Sequence, residues 1–246
     1  MQATDTTVMP DVDAVGQLAE ELLDMGGAAP PGSPRTARPP TAEPHQRETG
    51  RDRGAVLTPP RSPVVNAALE LAQQPCSGHT IDDAPALRHA IRVAKTLTRH
   101  VPGIGPEVAA AALLHDAPRF APDRIRLGQQ LVAIAPELPH LVNVTFASHE
   151  AMMSGQAPNP PGPPAVFVLA ADTIVAFRSL VRRAHRSGDA VAFFASREAL
   201  RGLIPAFNHW SDVVTTQLPQ SMAQYLQAAL SELLSLTKLT ACPANA

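Results

Sequence analysis

The sequence predicts an all-α domain that follows a disordered, proline-rich N-terminal region. Aromatic residues make up only 4% of the chain while alanine, leucine and valine are abundant, which favours a helical core over a sheet sandwich. From residue 64 to about residue 239 apolar residues recur at helical spacing, and no segment alternates apolar and polar residues for long. The 26 prolines are concentrated before residue 65 and around residues 158–164. We therefore divide the chain into an N-terminal region over 1–63, a helical domain over 64–239 and a tail over 240–246.

The N-terminal region contains one candidate element. Residues 12–25 have the pattern of a short amphipathic helix, with Asp11 or Asp13 as its N-cap. Between Gly26 and Pro63 large apolar side chains are almost absent, so burial cannot offset the entropy lost on ordering. We expect this stretch to be a disordered linker.

The domain is predicted to be a succession of helices. Pro106 suits the first position of a helix that runs over 106–117 until Pro118 stops it. A long apolar helix ends at the Ser187–Gly188 pair, because serine and glycine commonly follow a helix. With these two, the helical patterns cover residues 64–74, 87–100, 106–117, 123–135, 138–153, 165–186, 199–214 and 219–239.

Charge and cysteine content exclude several classes of partner. The net charge is −2 and there is no basic run, so we expect no nucleic-acid partner. No apolar run reaches the roughly 18–20 residues of a membrane span, and there is no signal-peptide pattern. Cys76 and Cys242 are too few for a disulfide framework or a cysteine zinc site, so a cytoplasmic location is expected. The oligomeric state is left open.

Two carboxylates lie where charge is costly. Residues 108–114 are apolar on every face, so their helix should be buried all round, and it leads directly into His115–Asp116. Asp172 lies in a second such helix, in which only Asp172 and Thr173 are polar between residues 165 and 177. A buried carboxylate needs a partner, a proton or a cation, and one shared cation satisfies both. His89, beside the apolar stripe of another helix, completes a ligand set that suits Mn, Fe, Zn or Mg.

Other interpretations of these residues stay open. A lone buried aspartate commonly accepts backbone amides or pairs with an arginine, and a lone histidine is commonly a core residue with its hydrogen bonds satisfied. His149–Glu150 ends a helical stretch before a Gly-Pro loop. We interpret that pair as a surface or capping pair, with a position at the mouth of a cleft as the alternative.

The order of these motifs resembles the HD-domain metal-dependent phosphohydrolases. RHAIRVAKTL followed by VAAAALLHDA, and then VLAADTIVAFRSL, resemble the RelA/SpoT-type alarmone hydrolases over about residues 64–238. The resemblance implies a helical bundle that binds one divalent ion, typically Mn²⁺, and removes pyrophosphate from a nucleotide such as ppGpp. It implies four metal ligands, two of which are also catalytic (His115 and Asp116), and two residues that contact substrate (Arg88 and Arg178). The implied ligands are His89, His115, Asp116 and Asp172.

The sequence departs from the family pattern at the positions that handle substrate and water. The family continues H-D-x-x-E-D, whereas this chain reads HDAPRF, with Arg119 and Phe120 at the general acid/base positions. Asp123 is considered as a replacement. Upstream, the acids Asp82 and Asp83 lie where the family has phosphate-holding residues, and they should repel an anion. The asparagine four residues after the last metal-binding aspartate is also replaced, by Ala176.

Two functions follow from this pattern. The first is a metal-dependent phosphohydrolase acting on a small-molecule nucleotide pyrophosphate such as ppGpp, with weak activity. The alternative is a catalytically inactive regulatory protein of HD fold that binds a nucleotide or a metal.

Overall fold

The computed structural model describes residues 55–57, 59–81, 84–156 and 159–238, and these residues form an all-α fold. The predicted fold class is confirmed. A 3₁₀ turn over Ala55–Leu57 comes first, and two short strands, β1 (Thr80–Ile81) and β2 (Ala84–Pro85), pair antiparallel. The helices are α1 (Pro63–Gln73), α2 (Ala86–His100), α3 (Pro106–Leu114), α4 (Ala117–Phe120), α5 (Arg124–Ile134), α6 (Leu138–Met153), α7 (Ala165–Arg186), α8 (Ala190–Ala195), α9 (Glu198–Thr215) and α10 (Gln220–Lys238).

Helix α3 lies at the centre of one half of the fold. Ala109 through Leu114 are all buried, so the prediction of a helix enclosed on every side is confirmed. Helices α1, α2 and α6 pack around it. Its alanines have the smallest side chains that still favour a helix, which lets these neighbours approach closely.

Helix α7 connects the two halves of the fold. It is 22 residues long and contacts α2 and α6 on one side and α10 on the other. Gly188, which follows it, has φ of 77°, the left-handed conformation that ends a helix, as predicted. Asp172 and Thr173 are therefore enclosed by packed helices rather than by solvent, and both are buried.

One predicted boundary is wrong. The helix that begins at Pro106 ends at Leu114 instead of Ala117, and His115 and Asp116 form a turn. Pro118 then occupies the first turn of α4 instead of stopping a helix, because the missing N–H of proline costs nothing there. This turn directs His115 and Asp116 into the space between α2 and α7.

Several predictions fall outside the described residues. They concern the helix over 12–25, the disordered linker before residue 55, the acids Asp82 and Asp83, and the tail over 240–246. Among the helices that are described, none is both long enough and apolar enough to cross a membrane.

Candidate metal centre

Three segments bring the predicted ligands together. His89 comes from α2, His115 and Asp116 from the turn after α3, and Asp172 from α7. On α2, His89 aligns with Val93 and Leu97 at intervals of four residues, on the helix face that α7 covers. His89 is therefore within the buried face of α2, with only 2% of its surface exposed, rather than on its flank.

His89, His115 and Asp172 form a group that could hold a metal ion. One ligand atom from each lies within 4.8 Å of the others, and all three residues are buried. His89 Nε2 donates a hydrogen bond to Asp172 Oδ1 over 2.9 Å. His115 Nε2 lies 3.5 Å from the same oxygen. Two imidazole nitrogens and a carboxylate oxygen thus converge on one small volume, as the sequence predicted.

Asp116 lies beside this group. Its Oδ2 is 3.1 Å from His115 Nε2 and 3.9 Å from His89 Nε2. The carboxylate is buried, with 6% of the residue exposed. These distances are short enough for Asp116 to reach a cation held by His89, His115 and Asp172. That Asp116 is a fourth ligand stays a prediction.

The ring of His115 is oriented by the backbone. Its Nδ1 donates a hydrogen bond to the carbonyl oxygen of Ala112 over 2.9 Å. In the neutral ring this places the proton on Nδ1 and the lone pair on Nε2. Nε2 is buried and makes no hydrogen bond of good geometry, although two carboxylates are near it. A buried nitrogen in this situation fits a metal ligand.

Two buried aspartates, Asp116 and Asp172, determine the electrostatics of the metal-ligand group. Burial alone would raise the pKa of Asp172, but His115 and His149 hold it well below its usual range. Burial alone would lower the pKa of His115, but Asp116 and Asp172 raise it well above its ordinary value. The aspartates are therefore ionised at neutral pH, and a cation that displaces the proton of His115 would balance their two negative charges in its place.

His149 belongs to the same cluster, although the preferred interpretation of the sequence placed it on the surface or in a cap. Its Nδ1 donates to Asp172 Oδ2 over 2.7 Å, and 18% of its side chain is exposed. The interpretation of His149 as a surface or capping residue is wrong, and the alternative position at a cleft is the one observed. A signal was present, because His149 follows Val142 and Thr145 and precedes Met152 at intervals of three or four residues along the buried face of α6.

The residues at the family's acid/base positions have other contacts. The guanidinium of Arg119 donates to a carboxylate oxygen of Glu150. Burial alone would lower the pKa of Arg119, but Asp116 and Glu150 raise it, so it stays charged. Phe120 stacks on His79, with ring centroids 4.5 Å apart. A cation and an aromatic ring thus lie where the family pattern that the sequence resembles has a pair of carboxylates.

A cavity of about 140 Å³ opens beside the cluster. Its polar end is lined by His89, Asp116, Arg119, His149 and Asp172. Its other end is apolar and is formed by side chains of α6, α7 and α9. The metal-ligand group therefore faces a space that a small molecule can enter.

The remaining predicted residues lie elsewhere. Arg88 is exposed on α2, and the guanidinium of Arg178 stacks over the ring of Tyr225, 3.8 Å from its centroid. Neither lines the cavity, so their predicted contact with substrate has no support from their positions. Asp123 does not replace the lost acid, because it is exposed and caps α5 by accepting hydrogen bonds from the amides of Ile125 and Arg126.

Comparisons of the chain with protein-family models, with curated proteins and with solved structures gave no match. The likeness to HD-domain phosphohydrolases thus rests on the motifs alone.

Proposed function

We propose that this chain is a metal-dependent phosphohydrolase whose divalent cation, Mn²⁺, is held by His89, His115 and Asp172. One observation carries the proposal. The ligand atoms of these residues lie within 4.8 Å of one another, and His89 and Asp172 line a cavity that a substrate can enter. Motif order and spatial convergence are independent of each other, and both support a cation at this place.

The donor set suits a catalytic cation. Three or four protein ligands do not fill the octahedral shell of a cation such as Mn²⁺, which leaves positions for water and substrate. Oxygen and imidazole donors accommodate Mn²⁺, Fe²⁺ and Zn²⁺, and the resemblance favours Mn²⁺ among these. When bound, such a cation supplies an activated water and polarises a phosphoryl oxygen.

The chain's own residues position a phosphate group at the centre. Arg119 lines the polar end of the cavity and keeps its charge, so it attracts phosphate oxygens. Glu150 holds the guanidinium in place through their hydrogen bond. Asp116, next to His115, is proposed as the fourth residue that contacts the cation or its water. Taken alone, the sequence resemblance favours a nucleotide pyrophosphate such as ppGpp among phosphate compounds, and the lining of the cavity is a separate constraint on the substrate.

The test combines metal content with turnover. The full chain is stripped with a chelator, dialysed against Mn²⁺, and analysed for bound metal. It is then assayed for phosphate or pyrophosphate release from ppGpp and from simple phosphate esters. The proposal expects one Mn²⁺ per chain and hydrolysis that Asp172→Asn abolishes. Absence of metal binding overturns it, because no hydrolysis by this centre is then expected.

A second function has its own supporting observation. Arg119, which pairs with Glu150, and Phe120 lie where the family has a pair of carboxylates that activate water. A chain that binds one Mn²⁺ per molecule and hydrolyses none of these phosphate compounds is the catalytically inactive binding protein. The same experiment therefore separates the two functions.

A further inference from the structure

The cavity next to the metal-ligand group has two chemically different ends. At the polar end are the residues of the cluster and Arg119. The opposite wall is apolar and almost closed to solvent, since its main side chains belong to residues that are 2–8% exposed. Phe177 and Phe207 meet there edge to face, with centroids 5.3 Å apart. The main apolar side chains of this wall are Met152, Phe177, Leu180, Leu200 and Phe207.

The apolar wall offers few partners to a polar ligand. Of the described lining residues beyond the polar end, two carry a hydroxyl group, Thr80 and Thr173. The hydroxyl of Thr173 already donates to the carbonyl oxygen of Leu169 over 2.9 Å, and Thr80 is exposed at the rim. A ribose or a guanine base placed against this wall would leave donors and acceptors without partners, which is costly in a buried place.

The charge at the polar end fits one phosphate group. A divalent cation and the imidazole of His149, which donates to Asp172, balance Asp116 and Asp172, and Arg119 is the one arginine or lysine among the described lining residues. Its charge is shared with Glu150. A compound with two pyrophosphate groups brings several more negative charges than this, and sites for such ligands use clusters of cations. The centre is therefore matched to a single phosphate.

The size of the cavity also favours a small ligand with one phosphate group. Its volume of about 140 Å³ is below the roughly 300–1,000 Å³ of pockets that enclose drug-sized ligands. An apolar cavity of about 150 Å³ is large enough to take up a benzene ring. The space inside the cavity thus suits a short aliphatic chain or a single ring.

We propose that the substrate of this centre is a phosphate monoester whose alcohol part is apolar, rather than a nucleotide pyrophosphate. This inference rests on the proposed phosphohydrolase function and names its substrate class. In the reaction, the oxygen of water forms a bond to phosphorus and the ester P–O bond breaks. One proton of that water ends on the leaving oxygen, so the products are orthophosphate and the free alcohol. The phosphate lies at the cation and Arg119, and the alcohol part lies against Phe177 and Phe207.

Hydrolysis by the full chain with Mn²⁺ is compared for hexyl phosphate, glycerol 1-phosphate and ppGpp. The inference expects kcat/KM for hexyl phosphate to be at least tenfold above the values for the other two, a factor that burial of about two methylene groups supplies. Hydrolysis with a preference for ppGpp or glycerol 1-phosphate overturns the inference and leaves the phosphohydrolase function standing. Failure to hydrolyse all three overturns the phosphohydrolase function instead.

Binding is measured separately from turnover. Methyl-, butyl- and hexylphosphonate are titrated into the Mn²⁺-loaded chain, and the shift in melting temperature is recorded. The inference expects affinity to rise about tenfold or more with each lengthening of the chain, because each step buries at least two further methylene groups. Equal affinities for the three phosphonates overturn it even when the protein hydrolyses nothing.

A matched pair of variants tests where the apolar alcohol part of the substrate binds. Ala176 lines the cavity one helical turn after Asp172. The larger side chain of Ala176→Leu fills part of the cavity and should raise KM for hexyl phosphate at least fivefold. The amount of bound Mn²⁺ should stay unchanged. Ala228 is exposed on α10, and Ala228→Leu is the control for the same change away from the cavity. Equal KM values in the two variants contradict the placement. The phosphonate series on the unmodified chain decides the inference if Ala176→Leu does not fold.

Discussion

His149 Nδ1 lies 2.7 Å from Asp172 Oδ2, and this hydrogen bond joins two helices across 23 positions of the chain. The other carboxylate oxygen of Asp172 accepts from His89 Nε2, so one aspartate ties α6 and α2 to α7. Asp172 is therefore both a candidate metal ligand and a structural link between three helices.

The first prediction concerns this link. In chelator-treated protein, Asp172→Ala should lower the free energy of unfolding by about 3–5 kcal/mol, because removal of one partner leaves buried charged groups uncompensated. Urea unfolding followed by circular dichroism measures the change. Asp212→Ala is the control, since Asp212 is exposed on α9. A loss of stability no larger in Asp172→Ala than in the control would show that the hydrogen bonds to Asp172 contribute little.

The second prediction concerns the pH dependence of metal binding. Burial opposes protonation of His115, yet Asp116 and Asp172 raise its pKa well above its ordinary value, so the ring is protonated at neutral pH. A cation must displace that proton from Nε2, and binding should therefore release at least one proton and tighten about tenfold per pH unit between pH 6 and the pKa of His115. Calorimetric titration with Mn²⁺ in buffers of different ionisation enthalpy measures both quantities. An affinity that does not change between pH 6 and 8 would contradict the assignment of His115 as a ligand.

The third prediction concerns Arg119. Glu150→Gln removes the carboxylate that shares its charge, so the guanidinium becomes available to phosphate oxygens. The affinity of the Mn²⁺-loaded protein for inorganic phosphate should rise about three- to tenfold, while stability changes by no more than about 1 kcal/mol because the pair is partly exposed. Phosphate titration measured by thermal shift tests this. Glu137→Gln, at an exposed position before α6, should leave phosphate affinity unchanged, and an equal rise in both variants would refute a local effect.

The fourth prediction concerns the buried thiol of Cys76. Burial, together with the negative charge of Asp116, raises its pKa to about 11. At pH 7.5 it should therefore react with iodoacetamide roughly several hundred times more slowly than an ordinary thiol with a pKa near 8.5. The rate is measured in the Cys242→Ser background, where Cys76 is the only thiol, and compared with the rate in urea. Equal rates with and without urea would show that the thiol is not shielded.

The fifth prediction uses two glycines. Gly188 has φ of 77°, and no atom lies within 4 Å of the place that a methyl group would take, so only its backbone conformation disfavours a side chain. Gly188→Ala should lower the free energy of unfolding by about 1 kcal/mol. Gly128 lies within α5 with similar open space, and Gly128→Ala should raise it by about 0.5–1 kcal/mol. Thermal unfolding measures both, and a loss in both variants would contradict the argument from conformation.

Helical periodicity is sufficient to predict the fold class and most helices, because the buried faces of α2, α6 and α7 repeat every three or four residues. The same patterns identify His115, Asp116 and Asp172, since polar residues within or directly after an apolar stretch are visible without any structure. Short helices escape prediction. The four residues of α4 contain too little sequence to show a period, and Pro118 there has the pattern of a helix stop.

Contacts between distant segments could not be predicted. Arg119 and Glu150 are 31 residues apart, and neither has an apolar context that marks it as a site residue. The apolar wall of the cavity is likewise invisible in the sequence, because Phe177 and Phe207 look like ordinary core residues until α7 and α9 are placed together. The lining of the cavity therefore depends on how distant helices pack and cannot be read from the sequence. The candidate metal ligands, in contrast, can be predicted from the residues next to them in the sequence.

His89 and Asp172 stand 83 residues apart in the chain, yet their side chains touch. A cation bound between them closes a long loop much as a covalent cross-link does, and the stabilisation it gives grows with its concentration. Backbone amides of α2 and α7 should then exchange with deuterium as a single unit that becomes slower as Mn²⁺ is added. Occupancy of the centre would thus be reported by the rigidity of the whole bundle, at positions far from the ion itself.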